Sequence, residues 1–302
     1  MKKLLLLASL VMMSAFSVAS TTMTQNRAGG VQSASTGTPA ATAAVDRMPA
    51  NGQAWTYNFS DFADGALPGT DWNFEEGTKV SNYNGEDQAY TARTGNVRIE
   101  NGVLVIEAQP ESMYGKKYTS ARINTLDKFD FDYGTIEAEM MLPAGAGTWP
   151  AAWLMPSVDK FYDPRDFGID PLDKYAWAVN GEIDFAEAIG RTPGVNIPAA
   201  HTYNSRKSGA VTYTPGSVPN AYSQYHRYGV TKTPNSITFT IDGVPYASRV
   251  RTGDSVLDWP FNQRYYLILN LAIGGSWAGA AGIDDASAPW QLKIKSLSYR
   301  PL

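Results

Sequence analysis

The sequence predicts an all-β domain, built as a sandwich or barrel of antiparallel sheets, on three observations. From Trp55 onward, Gly, Pro, Asn and Asp interrupt the chain about every eight to twelve residues, with short β-branched and aromatic runs between them. Asn101-Gly102 and Asp242-Gly243 each separate two such runs, and both dipeptides are typical of tight hairpin turns. No long segment has the apolar spacing of an amphipathic helix.

The predicted strands follow one another along the chain. Residues 96–108 have the first hairpin pattern, and residues 134–142 alternate apolar and polar side chains as a half-buried strand does. Residues 236–246 repeat the hairpin pattern. Residues 265–273 are almost continuously apolar, which is typical of a central strand buried on both faces. Residues 291–299 alternate again and are expected to close a sheet.

The first 52 residues differ in composition from the rest of the 302-residue chain. Residues 1–20 start with a positive charge, continue with an apolar run too short to span a bilayer and end in small residues, as secretory signal peptides do. An uncleaved membrane anchor is the alternative. Residues 21–52 are rich in Ser, Thr, Ala and Gly and predict a disordered stem. The folded domain is therefore expected at residues 53–302, in the periplasm or outside the cell.

Composition narrows the chemistry that this domain can perform. The chain has no Cys and two His, which excludes thiol nucleophiles and thiolate metal sites and disfavours a histidine-rich metal centre. Its formal net charge of −4 lacks the basic character of nucleic-acid-binding proteins. Carboxylates remain as the candidate catalysts.

Glu182, Asp184 and Glu187 stand in an otherwise apolar segment, residues 181–190. In a β-strand, residues i and i+2 face the same side, so Glu182 and Asp184 point one way and Glu187 points the other. One β-bulge between Asp184 and Glu187 would bring all three to one face. Solvated acids at a sheet edge, or a metal-binding cluster, are the alternatives, but the apolar neighbours favour a central strand.

Clustered carboxylates can provide what glycoside hydrolysis requires, which is one ionised nucleophile and one protonated acid. The spacing Glu-x-Asp-x-x-Glu in residues 181–187 resembles the signature of glycoside hydrolase family 16, and most of all its laminarinase-type endo-β-1,3-glucanases. Other segments resemble the same family in the same order and extend the resemblance over about residues 53–300. These segments are residues 84–91, 118–125, 133–138, 147–153 and 269–279.

The resemblance implies a concanavalin-like β-jelly-roll sandwich of two curved antiparallel sheets, with a substrate cleft across the concave face. It also implies hydrolysis with retention of configuration, with Glu182 as the nucleophile, Glu187 as the general acid/base and Asp184 as the assisting carboxylate. Retention is associated with catalytic carboxyl groups roughly 5–5.5 Å apart.

Four tryptophans are candidates for stacking on sugar rings, because an indole is broad and rigid and sugar rings present C–H groups on one face. They are Trp149, Trp153, Trp177 and Trp277. Trp177 matches a Trp that stacks on a glucose ring in laminarinase-like enzymes. Trp149 and Trp153 share one face of a predicted strand, and Trp277 follows two glycines in a predicted loop. Packing in the core is the alternative, and it is nearly as strong for Trp153.

Three polar residues complete the candidate cleft. Asn84 and Arg122 match positions that contact the sugars next to the cleaved bond, and a guanidinium offers a planar fork of donors to hydroxyl groups. His201 matches a family His near the floor of the site. An internal salt bridge is the alternative for Arg122, and a structural role is the alternative for His201.

Two segments depart from the laminarinase-like pattern. Residues 157–180 are longer than expected, so we expect a loop on the rim of the cleft that influences which glucan fits. Many family members bind calcium on the convex face through an Asp of the last strand, and Lys295 stands near that position here. We expect the calcium site to be lost, with the Lys295 ammonium in the place of the cation, and no cofactor is implied.

These observations predict a secreted, monomeric endo-β-glucanase that cuts β-1,3 bonds in laminarin-like or mixed-linkage glucans and binds neither nucleic acid nor membrane. A hydrolase of marine galactans such as agar or carrageenan on the same fold is the first alternative. A transglycosylase, which would use the same covalent intermediate, is the second. A non-catalytic glucan-binding protein is the third, and the presence of all three acids disfavours it.

Overall fold

The computed structural model describes residues 53–157, 162–210 and 214–302. The predicted signal peptide and stem, residues 1–52, lie outside the described residues. In chain order the strands are β1 (Trp55–Asn58), β2 (Asn73–Phe74), β3 (Gln88–Tyr90), β4 (Val97–Glu100), β5 (Val103–Met113), β6 (Lys116–Ser120), β7 (Arg122–Asn124), β8 (Asp130–Phe131), β9 (Gly134–Met141), β10 (Thr148–Pro156), β11 (Glu182–Glu187), β12 (Val195–Asn196), β13 (Ala199–His201), β14 (Gly216–Ser217), β15 (His226–Lys232), β16 (Ser236–Ile241), β17 (Val244–Val250), β18 (Tyr265–Ile273) and β19 (Trp290–Pro301).

Helices are short in the described part of the chain, and none there has the length and apolar character needed to span a bilayer. The α-helices are α1 (Tyr203–Ser208) and α2 (Gly275–Ala278). The 3-10 helices are Phe59–Asp61, Pro164–Phe167, Ala176–Val179, Gly279–Ala281 and Asp285–Ser287.

The strands form two large sheets and one small one. The ten-stranded sheet has the order β17-β16-β15-β9-β19-β5-β6-β3, with β1 added beside β19 and β4 beside β5. The seven-stranded sheet has the order β13-β11-β10-β18-β7-β2, with β8 beside β18. β12 and β14 form a separate two-stranded sheet. The β3–β6 pair is parallel, and the other strand pairs of the described residues are antiparallel.

The two large sheets share one hydrophobic core. Alternate residues of β9, such as Ile136 and Met140, enter it from the ten-stranded sheet. Leu154 of β10 and Leu269 of β18 enter it from the seven-stranded sheet. Burying an aliphatic side chain of this size contributes about 1.5–3 kcal/mol, so a shared core of this kind can hold a chain without disulfides together.

The predicted elements are confirmed in type and place. Both hairpin turns adopt the left-handed backbone that their sequences predict: Asn101 and Gly102 have φ of 52° and 73°, and Asp242 and Gly243 have φ of 51° and 80°. The predicted central strand is β18, which lies between β10 and β7. The prediction of a sandwich of antiparallel sheets is therefore confirmed.

Candidate active site

The three acids lie on β11, which has neighbours on both sides, β10 and β13. Asp184 stands opposite Trp153 of β10, whereas Ala186 stands opposite Ala152 and Glu187 opposite Ala151, so one extra residue is inserted between Asp184 and Ala186. Ala151 and Trp153 are two residues apart and share a face, and their partners Glu187 and Asp184 therefore share it too. The predicted β-bulge is confirmed, and the acids are not at a free edge.

A buried side chain supports this bulge from outside the strand. Asn196 of β12 accepts a hydrogen bond from the Glu187 N–H at 2.9 Å and donates one to the Phe185 carbonyl at 3.0 Å. Sequence reasoning missed Asn196, because it lies in an irregular Gly- and Pro-rich segment without strand periodicity.

His201 of β13 stands directly opposite Glu182 and completes the acidic cluster. Its Nε2 lies 3.0 Å from Asp184 Oδ2 and 3.8 Å from Glu182 Oε1. The first contact is close but is not aligned as a hydrogen bond, since Asp184 Oδ2 has no hydrogen-bond partner among the described residues. Burial lowers the pKa of His201, so its imidazole is neutral at neutral pH. Donor atoms of Glu182, Asp184 and His201 lie within 4.8 Å of one another, a spacing that could also hold a cation.

Burial raises the pKa of all three carboxyl groups, because removing water disfavours the charged form. The pKa of Glu182 rises to about 8, with the charge of Asp184 adding to the effect of burial and His201 opposing it. The pKa of Asp184 rises to about 7, opposed by a hydrogen bond with Glu182. The pKa of Glu187 rises to about 8, opposed by a hydrogen bond from Trp149. The cluster therefore retains protons at neutral pH.

Trp149 and Trp277 form an aromatic pair beside Glu187. The indole Nε1 of Trp149 donates to Glu187 Oε1 at 2.9 Å. The ring of Trp277, in α2, meets the Trp149 ring edge-on with centroids 5.0 Å apart. Both rings are half-buried. Neither is in the core between the large sheets, which leaves both available to a ligand.

Trp153 and Arg122 lie farther along the same face. Asn270 of β18 stands opposite both Ala151 and Arg122, so a row of directly opposed residues runs from Glu187 to Arg122. Trp153 Nε1 donates to Asn270 Oδ1 at 2.7 Å, and the Arg122 guanidinium lies 4.7 Å from the centre of the Trp153 ring. With strands about 4.8 Å apart, this row spans roughly 14 Å of the sheet.

Arg122 also forms the internal ion pair that was the alternative to a sugar contact. Its Nε donates to Glu75 Oε1 at 2.8 Å, and the same oxygen accepts from Asn124 Nδ2 at 3.0 Å. The ion pair holds the guanidinium over the Trp153 ring. Glu75 was not singled out from the sequence, because it lies 47 residues from Arg122.

Trp177 lies at the opposite end of the cluster, on the predicted rim loop. Its side chain is 39% exposed, and its ring meets the His201 ring edge-on with centroids 5.8 Å apart. Residues 162–180 fold against α1 through a small apolar cluster of Ile169, Ala176 and Val179, next to β11. Residues 158–161 of the predicted rim loop lie outside the described residues, and its described part lies beside β11. Core packing does not account for Trp177.

Asn84 is exposed and lies on a loop that contacts the segment carrying Trp277. The Asn84 carbonyl accepts a hydrogen bond from the Ser276 N–H at 3.2 Å, and its Nδ2 donates to Glu86 Oε1 at 3.2 Å. Burial raises the pKa of Glu86, whose Oε2 also accepts from Gln88 Nε2 at 2.7 Å. Asn84 therefore lies next to the segment that carries Trp277, on the side of the site where Trp149 and Trp277 pair.

Comparison with known proteins identifies the family. The sequence model of the family described as glycosyl hydrolases family 16 matches residues 84–292. A β-glucanase from Rhodothermus marinus is 36% identical over 254 residues, which are 80% of this chain and 83% of that protein. The chain belongs to glycoside hydrolase family 16.

Solved structures agree with this assignment. The X-ray structure of the laminarinase from Rhodothermus marinus has a TM-score of 0.73 and 33% identity, and the match covers 82% of this chain and 96% of that one. SCLam, a non-specific endo-β-1,3(4)-glucanase from family GH16, has a TM-score of 0.72 and 30% identity over 84% of this chain and 93% of that one. The sandwich is thus the β-jelly roll of family 16, and the protein is a glycoside hydrolase, as predicted.

Lys295 stands near the position for which the family resemblance implies a calcium ligand. Lys295 of β19 donates to Glu139 Oε1 of β9 at 2.9 Å, on the ten-stranded sheet. An ammonium group at this position is a poor neighbour for a divalent cation, because like charges repel. The donor set at Lys295 does not fit calcium, and loss of the site stays a prediction.

Proposed function

We propose that the protein is a secreted, retaining endo-β-glucanase that hydrolyses β-1,3 bonds in laminarin-like or mixed-linkage glucans. The observation that carries this proposal is the bulge in β11, which places Asp184 and Glu187 on one face beside Trp149 and Trp153. Buried carboxyl groups next to aromatic rings suit a neutral polyol better than a charged ligand. The relatives named above as laminarinase and endo-β-1,3(4)-glucanase support glucan as the substrate.

In the proposed reaction, ionised Glu182 attacks the anomeric carbon while Glu187 donates a proton to the departing glycosidic oxygen. The C–O bond to the leaving sugar breaks as the bond to Glu182 forms, which gives a covalent glycosyl-enzyme. Glu187, now ionised, takes a proton from water as the water attacks the same carbon, and Glu182 is released. The two inversions together retain the configuration.

Trp149 determines which oxygen of Glu187 carries the proton. An indole N–H can only donate, so Glu187 Oε1 accepts from Trp149 and the proton resides on Oε2. A pKa raised to about 8 by burial keeps that proton in place at neutral pH. Glu187 is thus held as an acid with a defined donor oxygen.

Glu182 has to be ionised for its proposed role although burial raises its pKa. The hydrogen bond between the two acids lowers the pKa of Asp184 below that of Glu182, so Glu182 holds the proton and Asp184 accepts. The proposed attack requires this proton to move from Glu182 to Asp184 when the substrate binds. The pair then holds one negative charge, placed on Glu182, as coupled carboxyl groups in other hydrolases do. Asp184 thereby acts as the assisting carboxyl.

The substrate is tested by measuring new reducing ends on laminarin, lichenan, agarose and carrageenan. We expect laminarin to be cleaved fastest, lichenan more slowly and both galactans not at all, with products of mixed length from internal cleavage. Activity on agarose or carrageenan alone would favour the galactanase alternative. The Glu182→Gln variant should bind laminarin without cleaving it. Binding of laminarin by the unmodified protein with no new reducing ends would favour a glucan-binding protein.

Retention is tested by following the anomeric protons of the first products by NMR. The proposal requires the β-anomer to appear first and to mutarotate later. Initial release of the α-anomer would contradict the assignment of Glu182 as a nucleophile. Formation of longer oligosaccharides at high laminarin concentration would reveal transglycosylation through the same intermediate.

Export and assembly are separate parts of the proposal. We propose that residues 1–20 are removed on secretion, so N-terminal sequencing of the protein from culture medium should start just after Ala19 or Ser20. Light scattering should give the mass of one chain. A start at Met1, or a doubled mass, would contradict these two points.

A further inference from the structure

Asn196 is a fully buried polar side chain that makes three hydrogen bonds and uses both hydrogens of its amide. Its Oδ1 accepts from the Glu187 N–H at 2.9 Å, and its Nδ2 donates to the Phe185 carbonyl at 3.0 Å and to the Tyr246 hydroxyl at 2.7 Å. The residue is 0% exposed. Only this orientation of the amide places its oxygen against an N–H and its NH₂ against a carbonyl.

The amide of Asn196 lies beside the end of β11, where β13 no longer pairs with it. β13 pairs with Glu182 to Asp184 and then ends, while the Ala188 N–H beyond the bulge points back to Pro150 of β10. The backbone groups of Glu187 face away from β10, and leaving such buried groups unpaired is costly. The Ile197 N–H donates to the Glu187 carbonyl at 2.8 Å, so residues 196 and 197 hold both backbone groups of Glu187.

Tyr246 connects this arrangement to the opposite sheet. It belongs to β17 of the ten-stranded sheet, and Gly216, the strand partner of Asn196, lies directly under its ring. A Cβ on Gly216 would be 2.7 Å from Tyr246 Cε2 and 2.4 Å from Ile241 Cδ1, so the ring packs against bare backbone. The amide of Asn196 is therefore attached to a fixed point outside the catalytic sheet.

We propose that Asn196 is a positioning residue for Glu187, holding the backbone from which the proton donor projects. The inference rests on the proposed role of Glu187 as the general acid. Trp149 holds Glu187 Oε1, while Asn196 and Ile197 hold its backbone. A proton donor displaced by about 1 Å can lose about 100-fold in rate. Loss of Asn196 therefore slows cleavage of a bond whose leaving group must be protonated, and leaves intact the attack of Glu182 on a substrate whose leaving group needs no proton.

The test compares two leaving groups in Asn196→Leu. One substrate is a laminarin oligosaccharide, whose sugar leaving group needs protonation, and the other is the 2,4-dinitrophenyl glycoside of the same glucan disaccharide, whose leaving group does not. We expect kcat/KM to fall about 100-fold on the oligosaccharide and less than about threefold on the dinitrophenyl substrate. Equal losses on both substrates, or no loss on either, would overturn the inference.

Asn96→Leu is the matched control. Asn96 is also 0% exposed, and its Nδ2 donates to the Glu107 carbonyl and to Thr119 Oγ1, both at 3.1 Å, in the ten-stranded sheet. Its replacement should cost a similar amount of stability without distinguishing the two leaving groups. If Asn96→Leu also lost far more kcat/KM on the oligosaccharide than on the dinitrophenyl substrate, loss of any buried amide would produce the effect. That result would overturn the inference.

Two further variants keep the result decisive. If Asn196→Leu does not fold, Tyr246→Phe can replace it, because this variant removes one hydrogen bond of Asn196 and keeps the ring over Gly216. We expect kcat/KM on the oligosaccharide to fall about fivefold relative to the dinitrophenyl substrate. Equal changes on both substrates would overturn the inference. Glu187→Gln tests the proposed function separately. If it loses both substrates equally, the acid role of Glu187 fails; if it is selective and Asn196→Leu is not, only the inference about Asn196 fails.

Discussion

Replacing Trp149 with Phe is expected to move the alkaline limb of the pH–activity profile to higher pH. The indole N–H donates to Glu187 Oε1 at 2.9 Å and stabilises the ionised carboxylate, which lowers the pKa of Glu187 against the larger effect of burial. Phe retains an aromatic ring against Trp277 but has no donor. The pKa of Glu187 should therefore rise, and the acid should stay protonated to a higher pH.

The size of the shift follows from the energy of that hydrogen bond. A hydrogen bond to a charged group contributes about 1.5–3 kcal/mol, and one pKa unit corresponds to about 1.4 kcal/mol. Both side chains are half-buried, so the lower end applies and the shift is about one unit. The alkaline limb should move from about 8 to about 9.

The assay is kcat/KM on laminarin between about pH 4 and pH 10, since its alkaline limb reports the acid of the free enzyme. Trp277→Phe is the matched control, because this ring touches Trp149 and, within the described part of the chain, makes no hydrogen bond to Glu187. It should lower kcat/KM without moving the limb. A limb that moves downward in Trp149→Phe, stays in place, or moves equally in both variants would refute the reasoning.

Three other outcomes are expected. Glu187→Gln should raise Tm at pH 8.5 by about 5–10 °C and leave it unchanged at pH 4. A carboxyl group whose pKa in the folded state is raised to about 8 stabilises the fold below its ordinary pKa of 4.5 and loses that contribution as the pH rises to 8. An equal change in Tm at both pH values would contradict this explanation. Trp177→Ala should raise KM for laminarin about 2- to 10-fold with little change in kcat. Leu172 is 90% exposed on the same loop, and Leu172→Ala should change neither constant. A fall in kcat alone in Trp177→Ala would exclude a binding role for Trp177. EDTA and calcium should each shift Tm by less than about 1 °C, because Lys295 pairs with Glu139; one tightly held calcium per chain in metal analysis would contradict this.

Features set by local chemistry could be predicted from the sequence. Asn-Gly and Asp-Gly determine both hairpin turns, since few other residues accept the positive φ found at Asn101 and Asp242. The bulge could be predicted as well, because without it Glu187 would point into the core. Its exact residue could not, since Phe185 and Ala186 are both apolar and both fit the core.

Features set by distant contacts could not be predicted. The pairing of Arg122 with Glu75 joins residues 47 apart through β2 and β7, and nothing near either residue indicates it. The tryptophans show the same limit. Trp55, Trp72, Trp259 and Trp290 are buried in the core, whereas the candidate tryptophans are outside it, and only the assembled fold separates the two groups.

The bulge and Asn196 solve one structural problem together. A regular strand places every second residue on the cleft face, so Asp184 and Glu187 could not both face the cleft unless one residue were added between them. The added residue lets Phe185 and Ala186, next to each other in sequence, both enter the core. It also leaves backbone groups unpaired where β13 ends, and an Asn amide supplies the donor and the acceptor that a strand would have supplied. The side chain that satisfies the bulge is therefore also the one that holds the backbone of Glu187.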